Sequence, residues 1–169
     1  DSNVLIGANA GIALNTESYH VAIGSEALQT ETSSSGTVAI GRAALQDQNV
    51  ASANNVAVGY QAALNLTSGT MSVYMGYLAG GIGAITGDEN VAIGFGAAKN
   101  ATSYSAGVYI GAYAGGSGVV TGAANTVVGH SAGYDLTSGA SNTLLGTSAG
   151  ENVTTGGFNT HIGATAGQF

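Results

Sequence analysis

The stretch TVAIGRAAL (37–45) decides the fold, because its central VAIG is one of ten closely related copies along the chain. Each copy combines β-branched or aliphatic residues and closes on a glycine. A fixed period of 17 or 18 residues is typical of a solenoid in which each repeat forms one coil. The closing glycines are Gly7, Gly24, Gly41, Gly59, Gly76, Gly94, Gly111, Gly129, Gly146 and Gly163.

The residues around each closing glycine form columns with distinct preferences. Ile, Val, Met or Leu stands one residue before the glycine, and Val or Thr stands three residues before it in every repeat. This period-two alternation of β-branched residues predicts a short strand, with the Val/Thr and Ile columns facing inward. We expect the glycine to take a positive φ. Alanine stands three residues after every glycine, which predicts a column inside the coil or at a tight contact between chains.

The repeat covers the whole chain. Turn segments such as LTSG (66–69) and VTTG (153–156) predict that a second short strand and a loop follow the corner. We therefore predict an all-β fold, a parallel β-solenoid of the β-roll or β-helix type with ten coils of 17 or 18 residues. It forms one repeat domain over 1–169, with coils starting near residues 3, 20, 37, 55, 72, 90, 107, 125, 142 and 159.

Two motifs carry a resemblance to a known family. NVAIG followed by alanine (90–97) resembles the head repeats of trimeric autotransporter adhesins, the YadA-like heads. NNVAVGYQAAL (54–64) is similar to the NTAVGYQA-type repeats of phage tail fibres. The resemblance implies a left-handed coil and a homotrimer, with the Val/Ile and Ala columns as inner or inter-chain layers. The repeats of this chain are longer than those of the adhesin heads.

Composition excludes several classes of function. The net charge is −7, with Arg42 and Lys99 as the two cations, so little is available to neutralise a nucleic-acid backbone or an anionic membrane. The sequence has no cysteine and no run of 18 apolar residues, so we expect no disulfide framework and no membrane insertion. Because it begins at Asp1 without a leader, it reads as a segment of a longer protein.

The sequence offers no convincing catalytic, cofactor-binding or metal site. Its acids are scattered, and His20, His130 and His161 stand at three different column positions without metal-ligand spacing. Aromatic residues concentrate in coils four to seven, where Tyr60, Tyr77 and Phe95 directly follow closing glycines. If that position faces outward, these three form a ladder with Tyr113 that stacks sugars or packs against a partner. If it faces inward, they belong to the core.

We expect a non-enzymatic, extracellular fibre segment, from a bacterial surface adhesin or a phage tail fibre. Such a homotrimer would bind cell-surface glycans or proteins if it binds anything. Two alternatives stay open. Ile-Gly-x-x-Ala-x (6–11, 23–28, 40–45) satisfies the hexapeptide pattern of left-handed β-helix acyltransferases, although once per coil rather than three times. Thr recurs eight to ten residues after the glycine, which would suit an ice-binding solenoid with a flat threonine face.

Overall fold

The computed structural model describes residues 2–51 and 53–168, and it forms a parallel β-solenoid. Each coil contributes one three-residue strand, and the strands stack in chain order as one ten-stranded sheet. Neighbouring strands pair in register, as in Val21↔Val38 and Ile23↔Ile40. The predicted fold class is confirmed. The strands are β1 (Val4–Ile6), β2 (Val21–Ile23), β3 (Val38–Ile40), β4 (Val56–Val58), β5 (Val73–Met75), β6 (Val91–Ile93), β7 (Val108–Ile110), β8 (Thr126–Val128), β9 (Thr143–Leu145) and β10 (Thr160–Ile162).

The closing glycines form the first corner of every coil. Their φ angles lie between +121° and +138°, a region that side chains with a Cβ rarely occupy. The stack leaves no room for a side chain either, since a Cβ on Gly94 would lie 2.6 Å from the carbonyl oxygen of Gly111. The prediction of a positive φ is confirmed, and close approach of successive coils adds a second reason for glycine.

The predicted orientation of the strands is wrong. The middle residue of each inner strand is buried, as Ala22, Tyr109 and Leu144 are, while the Val/Thr and Ile columns on either side are partly or largely exposed. Alternation defines two faces of a strand but does not say which of them the coil encloses. The Ala column three residues after the glycine is fully buried in the eight inner coils, so it lies inside each chain.

The interior is filled by compensation of side-chain volume between two positions of the same coil. A large residue at the strand centre is followed six residues later by glycine, as in Tyr109 with Gly115 and Leu144 with Gly150. A Cβ on Gly115 would lie 2.6 Å from Cδ1 of Tyr109. Where the strand centre is alanine, the later position holds a side chain, leucine after Ala22 and Ala39 and alanine after Ala57 and Ala92. A large side chain at the strand centre therefore goes together with glycine at the later position.

The second side of the coil is a series of tight turns, and the predicted second strand is wrong. Among the described residues this side contributes one isolated bridge, between Leu66 and Ile85. Three further positions in each of the first nine coils adopt the left-handed conformation, and many of them hold residues other than glycine, including Ala43, Leu45 and Asn54. The backbone N–H groups of these turns donate hydrogen bonds to the neighbouring coils, as Leu45 N does to Ala62 O at 3.0 Å.

Candidate functional site

The aromatic ladder lies on the outside of the solenoid. Tyr60, Tyr77 and Phe95 are 39%, 45% and 47% exposed, so the core alternative for this column is wrong. Their ring centroids are 5.2 and 5.0 Å apart, and their planes deviate by 8° and 6° from parallel. This spacing is close to the separation of adjacent strands, because in-register parallel pairing places equivalent side chains directly above one another.

Tyr113 joins the ladder from a different position. It follows its closing glycine by two residues and sits at a left-handed corner with a φ of +58°, so its side chain leaves the coil in another direction. Its ring meets Phe95 edge to face at 5.2 Å and 72°. Tyr134 extends the row, at 6.3 Å and 78° from Tyr113. The structure therefore brings together all four aromatic residues predicted as ligand contacts.

The opposite end of the ladder is covered by Arg42, which occupies the same column. Its guanidinium carbon lies 5.7 Å from the centroid of the Tyr60 ring, and its Nη1 donates to Tyr60 Oη at 3.1 Å. Glu26 pairs with Arg42 at 3.4 Å. Because the stacked faces of Tyr60, Tyr77 and Phe95 are occupied, this part of the ladder presents ring edges and tyrosine hydroxyls to a partner. Its geometry does not favour a sugar stacked on an open ring face.

The remaining tyrosines of these coils belong to the core. Tyr74, Tyr104 and Tyr109 are fully buried, and none of their hydroxyls has a hydrogen-bond partner among the described residues. Tyr104 and Tyr109 pack edge to face, with centroids 5.4 Å apart. Burial raises the pKa of Tyr104 well above its ordinary value. These hydroxyls therefore stay neutral and supply no reactive group.

The histidines lie apart, and two of them face the interior. Buried His20 accepts from Thr37 N at 3.3 Å through Nδ1, and its Nε2 lies 3.0 Å from Ser34 O, which assigns the neutral Nε2–H form. His130 is exposed. His161 borders an open cleft of about 480 Å³ in the last coil, with Nδ1 unpaired among the described residues. The parts of the chain that the structure describes contain no group of three or more His, Cys, Asp or Glu able to hold a metal.

A buried polar network in coils two to four escaped sequence analysis. Glu31 is fully buried, and its Oε1 accepts from the backbone N–H groups of Ser33 and Ser34 at 2.7 and 2.8 Å. Its Oε2 accepts from Gln48 Nε2 at 2.8 Å, and Gln48 Oε1 accepts from Asn55 Nδ2 at 3.0 Å. Burial raises the pKa of Glu31, but these hydrogen bonds outweigh it and hold the pKa below its ordinary value.

Asparagine directly before the strand continues this network along the axis. Asn142 donates to Asn125 Oδ1 at 3.0 Å and to Gly156 O at 2.9 Å, and its own Oδ1 accepts from Asn159 N at 2.9 Å. Each side chain thus links its own coil to the coils before and after it. The asparagine that recurs before the VAIG motif was the sequence signal from which this network could have been predicted. These residues stabilise the solenoid and offer no surface for a ligand.

Several of the recurring threonine hydroxyls are bonded to the next coil. Thr67 Oγ1 donates to Ile85 O at 3.3 Å, and Thr137 Oγ1 donates to Thr154 O at 3.0 Å. These two hydroxyls connect successive coils. The geometry therefore gives the ice-binding alternative no specific support.

No protein-family model, curated protein or solved structure matches this chain. In the described part of the chain, no helix has the length and apolar character needed to cross a membrane.

Proposed function

We propose that this chain is a non-catalytic structural and adhesive segment of an extracellular fibre, either a bacterial surface adhesin or a phage tail fibre, and that it works as a homotrimer. The observation that carries the proposal is the apolar outer side of the ten-stranded sheet. We call the outward Val/Thr and Ile columns of β1 to β10 the strand face.

The strand face is a continuous apolar surface that runs along the whole stack of strands. Met75 and Leu145 are 40% and 43% exposed there, and the neighbouring strands add further Val and Ile side chains. Adjacent strands lie about 4.8 Å apart, so these side chains form one unbroken patch. Single soluble chains rarely expose a contiguous patch beyond a few hundred Å². Packing against two further copies would remove this patch from water along the whole rod.

The adhesive role rests on the aromatic ladder beside the strand face. Tyr60, Tyr77, Phe95 and Tyr113 offer ring edges and three hydroxyl groups on a rigid, parallel-stacked support. Exposed aromatic residues in a fixed arrangement are frequent anchors of interfaces. Because the stacked ring faces of Tyr60, Tyr77 and Phe95 are covered, we expect contact through edges and hydroxyls with a cell-surface glycan or protein.

The solution mass tests the assembly. Light scattering should give about three times the chain mass of 16.3 kDa. The double variant Met75→Glu/Leu145→Glu should be monomeric with an unchanged β-type circular dichroism spectrum, because both side chains are already exposed in the single chain. Ser103→Glu, an exposed position on the far side of the coil, serves as the control and should stay trimeric. A wild-type chain that is monomeric at micromolar concentration would contradict the proposal.

Binding to glycan arrays and to intact host cells tests the ladder. Tyr77→Ser/Phe95→Ser should lose binding while keeping the wild-type mass. His130→Ser changes an exposed residue of the same column outside the ladder and should bind normally. Binding that survives removal of both rings would place the adhesive surface elsewhere.

A further inference from the structure

Three asparagines of the chain begin an Asn-x-Thr triplet, and all three occupy the same column. The triplets are Asn65-Leu66-Thr67, Asn100-Ala101-Thr102 and Asn152-Val153-Thr154. Each asparagine follows its closing glycine by six residues, and no other asparagine of the sequence begins such a triplet. In a secreted protein, Asn-x-Ser/Thr on a surface loop is the acceptor motif for N-linked glycosylation.

The coil displays these triplets in a common way. The middle residue points into the solenoid, since Leu66 and Ala101 are fully buried and Val153 packs against the core. The Asn and Thr on either side are partly or fully exposed. By contrast, the asparagines that precede the inner strands β4, β6, β8 and β9 are buried, and no asparagine before a strand is followed by Ser or Thr two residues on, as in Asn90-Val91-Ala92.

Attachment of a sugar is compatible with the hydrogen bonds that these side chains make. Asn65 Nδ2 donates to Ile82 O at 2.9 Å, and Asn152 Nδ2 donates to Gln168 O at 3.1 Å, so each of these bonds uses one of two amide protons. Asn100 Nδ2 donates to Ser117 O at 3.0 Å and to Gly116 O at 3.3 Å. A glycosylated carboxamide retains one N–H, so one bond to the next coil can persist at each site, and Asn100 would give up its longer bond.

We propose that Asn65, Asn100 and Asn152 form a row of N-linked glycosylation sites. The row lies half a coil away from the strand face, because eight residues of a 17-residue coil separate Ala57 from Asn65. The three sites are two and then three coils apart, about 10 and 14 Å along the axis. Sugars on this side would leave the strand face and the ladder free. This inference rests on the proposed function as an extracellular trimer.

The modification needs an activated sugar, carried on a lipid or nucleotide diphosphate, and a transferase that recognises the triplet. Asn Nδ2 forms a bond to the anomeric carbon of the sugar, and the bond from that carbon to the phosphate oxygen breaks. The diphosphate carrier leaves with the bonding electron pair, and one Nδ2 proton passes to a base of the transferase.

The test is intact-mass and peptide mass spectrometry of the folded chain after incubation with an Asn-x-Ser/Thr-specific N-glucosyltransferase and nucleotide-activated glucose. We expect up to three hexose additions, at Asn65, Asn100 and Asn152. Thr67→Ala should remove one addition and Thr67→Ser should keep it. Asp135-Leu136-Thr137 occupies the same frame with an aspartate, so Asp135→Asn should create a fourth site.

The inference would be overturned if the folded chain received no hexose, or if hexose were added only after the chain had been unfolded. Either result would mean that the coil hides these side chains from the transferase. A folded Asp135→Asn variant without a fourth hexose would refute the role of the common frame. The trimer is measured separately by light scattering, so failure of glycosylation and failure of the proposed assembly are distinguishable.

Discussion

Adding one methyl group at Gly115 should destabilise the protein mainly through a clash with Tyr109. The new Cβ would lie 2.6 Å from Cδ1 and 2.7 Å from Cε1 of the buried ring. Overpacking of a filled core costs about 1–3 kcal/mol. The left-handed φ of +58° adds about 1–2 kcal/mol for a residue with a Cβ. We therefore expect Gly115→Ala to lower the free energy of unfolding by roughly 2–5 kcal/mol.

The same substitution should cost much less when the ring is absent. Tyr109→Ala alone should cost roughly 3–5 kcal/mol through the cavity it leaves. In the double variant Tyr109→Ala/Gly115→Ala the clash disappears and mainly the backbone cost remains. The two effects should therefore fall short of additivity by about 1–3 kcal/mol, which is the signature of direct contact in a double-mutant cycle.

Guanidinium chloride denaturation at one fixed protein concentration measures the cycle, because association changes apparent stability. Gly36→Ala is the matched control for the backbone contribution. Gly36 has a φ of +77°, and its added Cβ would meet one side-chain atom, Asn54 Oδ1, at 3.1 Å. Additivity of the Tyr109 and Gly115 substitutions within about 0.5 kcal/mol would refute volume compensation as the rule that fills the coil.

Four further predictions concern buried polar groups and corners. Glu31→Gln should lower the free energy of unfolding by about 1–3 kcal/mol, because two amide donors would meet. Adding Gln48→Glu should recover part of this stability. A further loss of stability in the double variant would refute the assigned directions of these hydrogen bonds. Because the folded-state pKa of Glu31 is lowered, its ionisation stabilises the protein at pH values above its ordinary pKa of 4.5. This contribution should vanish as the pH falls through the lowered pKa. Acid titrations of Glu31→Gln should not show this loss of stability. Tyr104→Phe should raise the melting temperature because it removes an unpaired buried hydroxyl, and an unchanged or lower value would mean that the hydroxyl has a partner. Ala124→Gly, at an exposed corner with a φ of +57°, should stabilise by about 0.5–1 kcal/mol in denaturant titrations, whereas destabilisation would argue against corner strain.

Much of the coil could be predicted from single columns of the repeat. The closing glycine, the strand before it and the alanine after it are each specified by local chemistry that recurs in every coil. The compensation between Tyr109 and Gly115 was also present in the sequence, since VYIGAYAGG differs from VAIGRAAL at both positions together. It becomes meaningful once the strand centre is known to face the interior.

The candidate site was less accessible to sequence reasoning. The column of Tyr60, Tyr77 and Phe95 was visible, but its exposure depended on the path of the chain after the glycine. Arg42 was recognised as a rare cation, yet its place at the end of the ladder follows from stacking register. The buried carboxylate of Glu31 resembled a solvated loop acid, because its partners come from Gln48 and the loop around it.

The sequence by itself determined the period, the position and in-register pairing of the strands, and the requirement for glycine at the first corner, because these depend on residues within one repeat. Tertiary structure alone decided which side of the strand became the interior. That choice depends on the direction in which the chain turns at the later corners, where residues such as Ala43 and Leu45 adopt left-handed conformations that their identity does not reveal. The direction of these turns encloses Tyr109 and leaves Tyr60, Tyr77 and the Val and Ile side chains of the strand face on the outside.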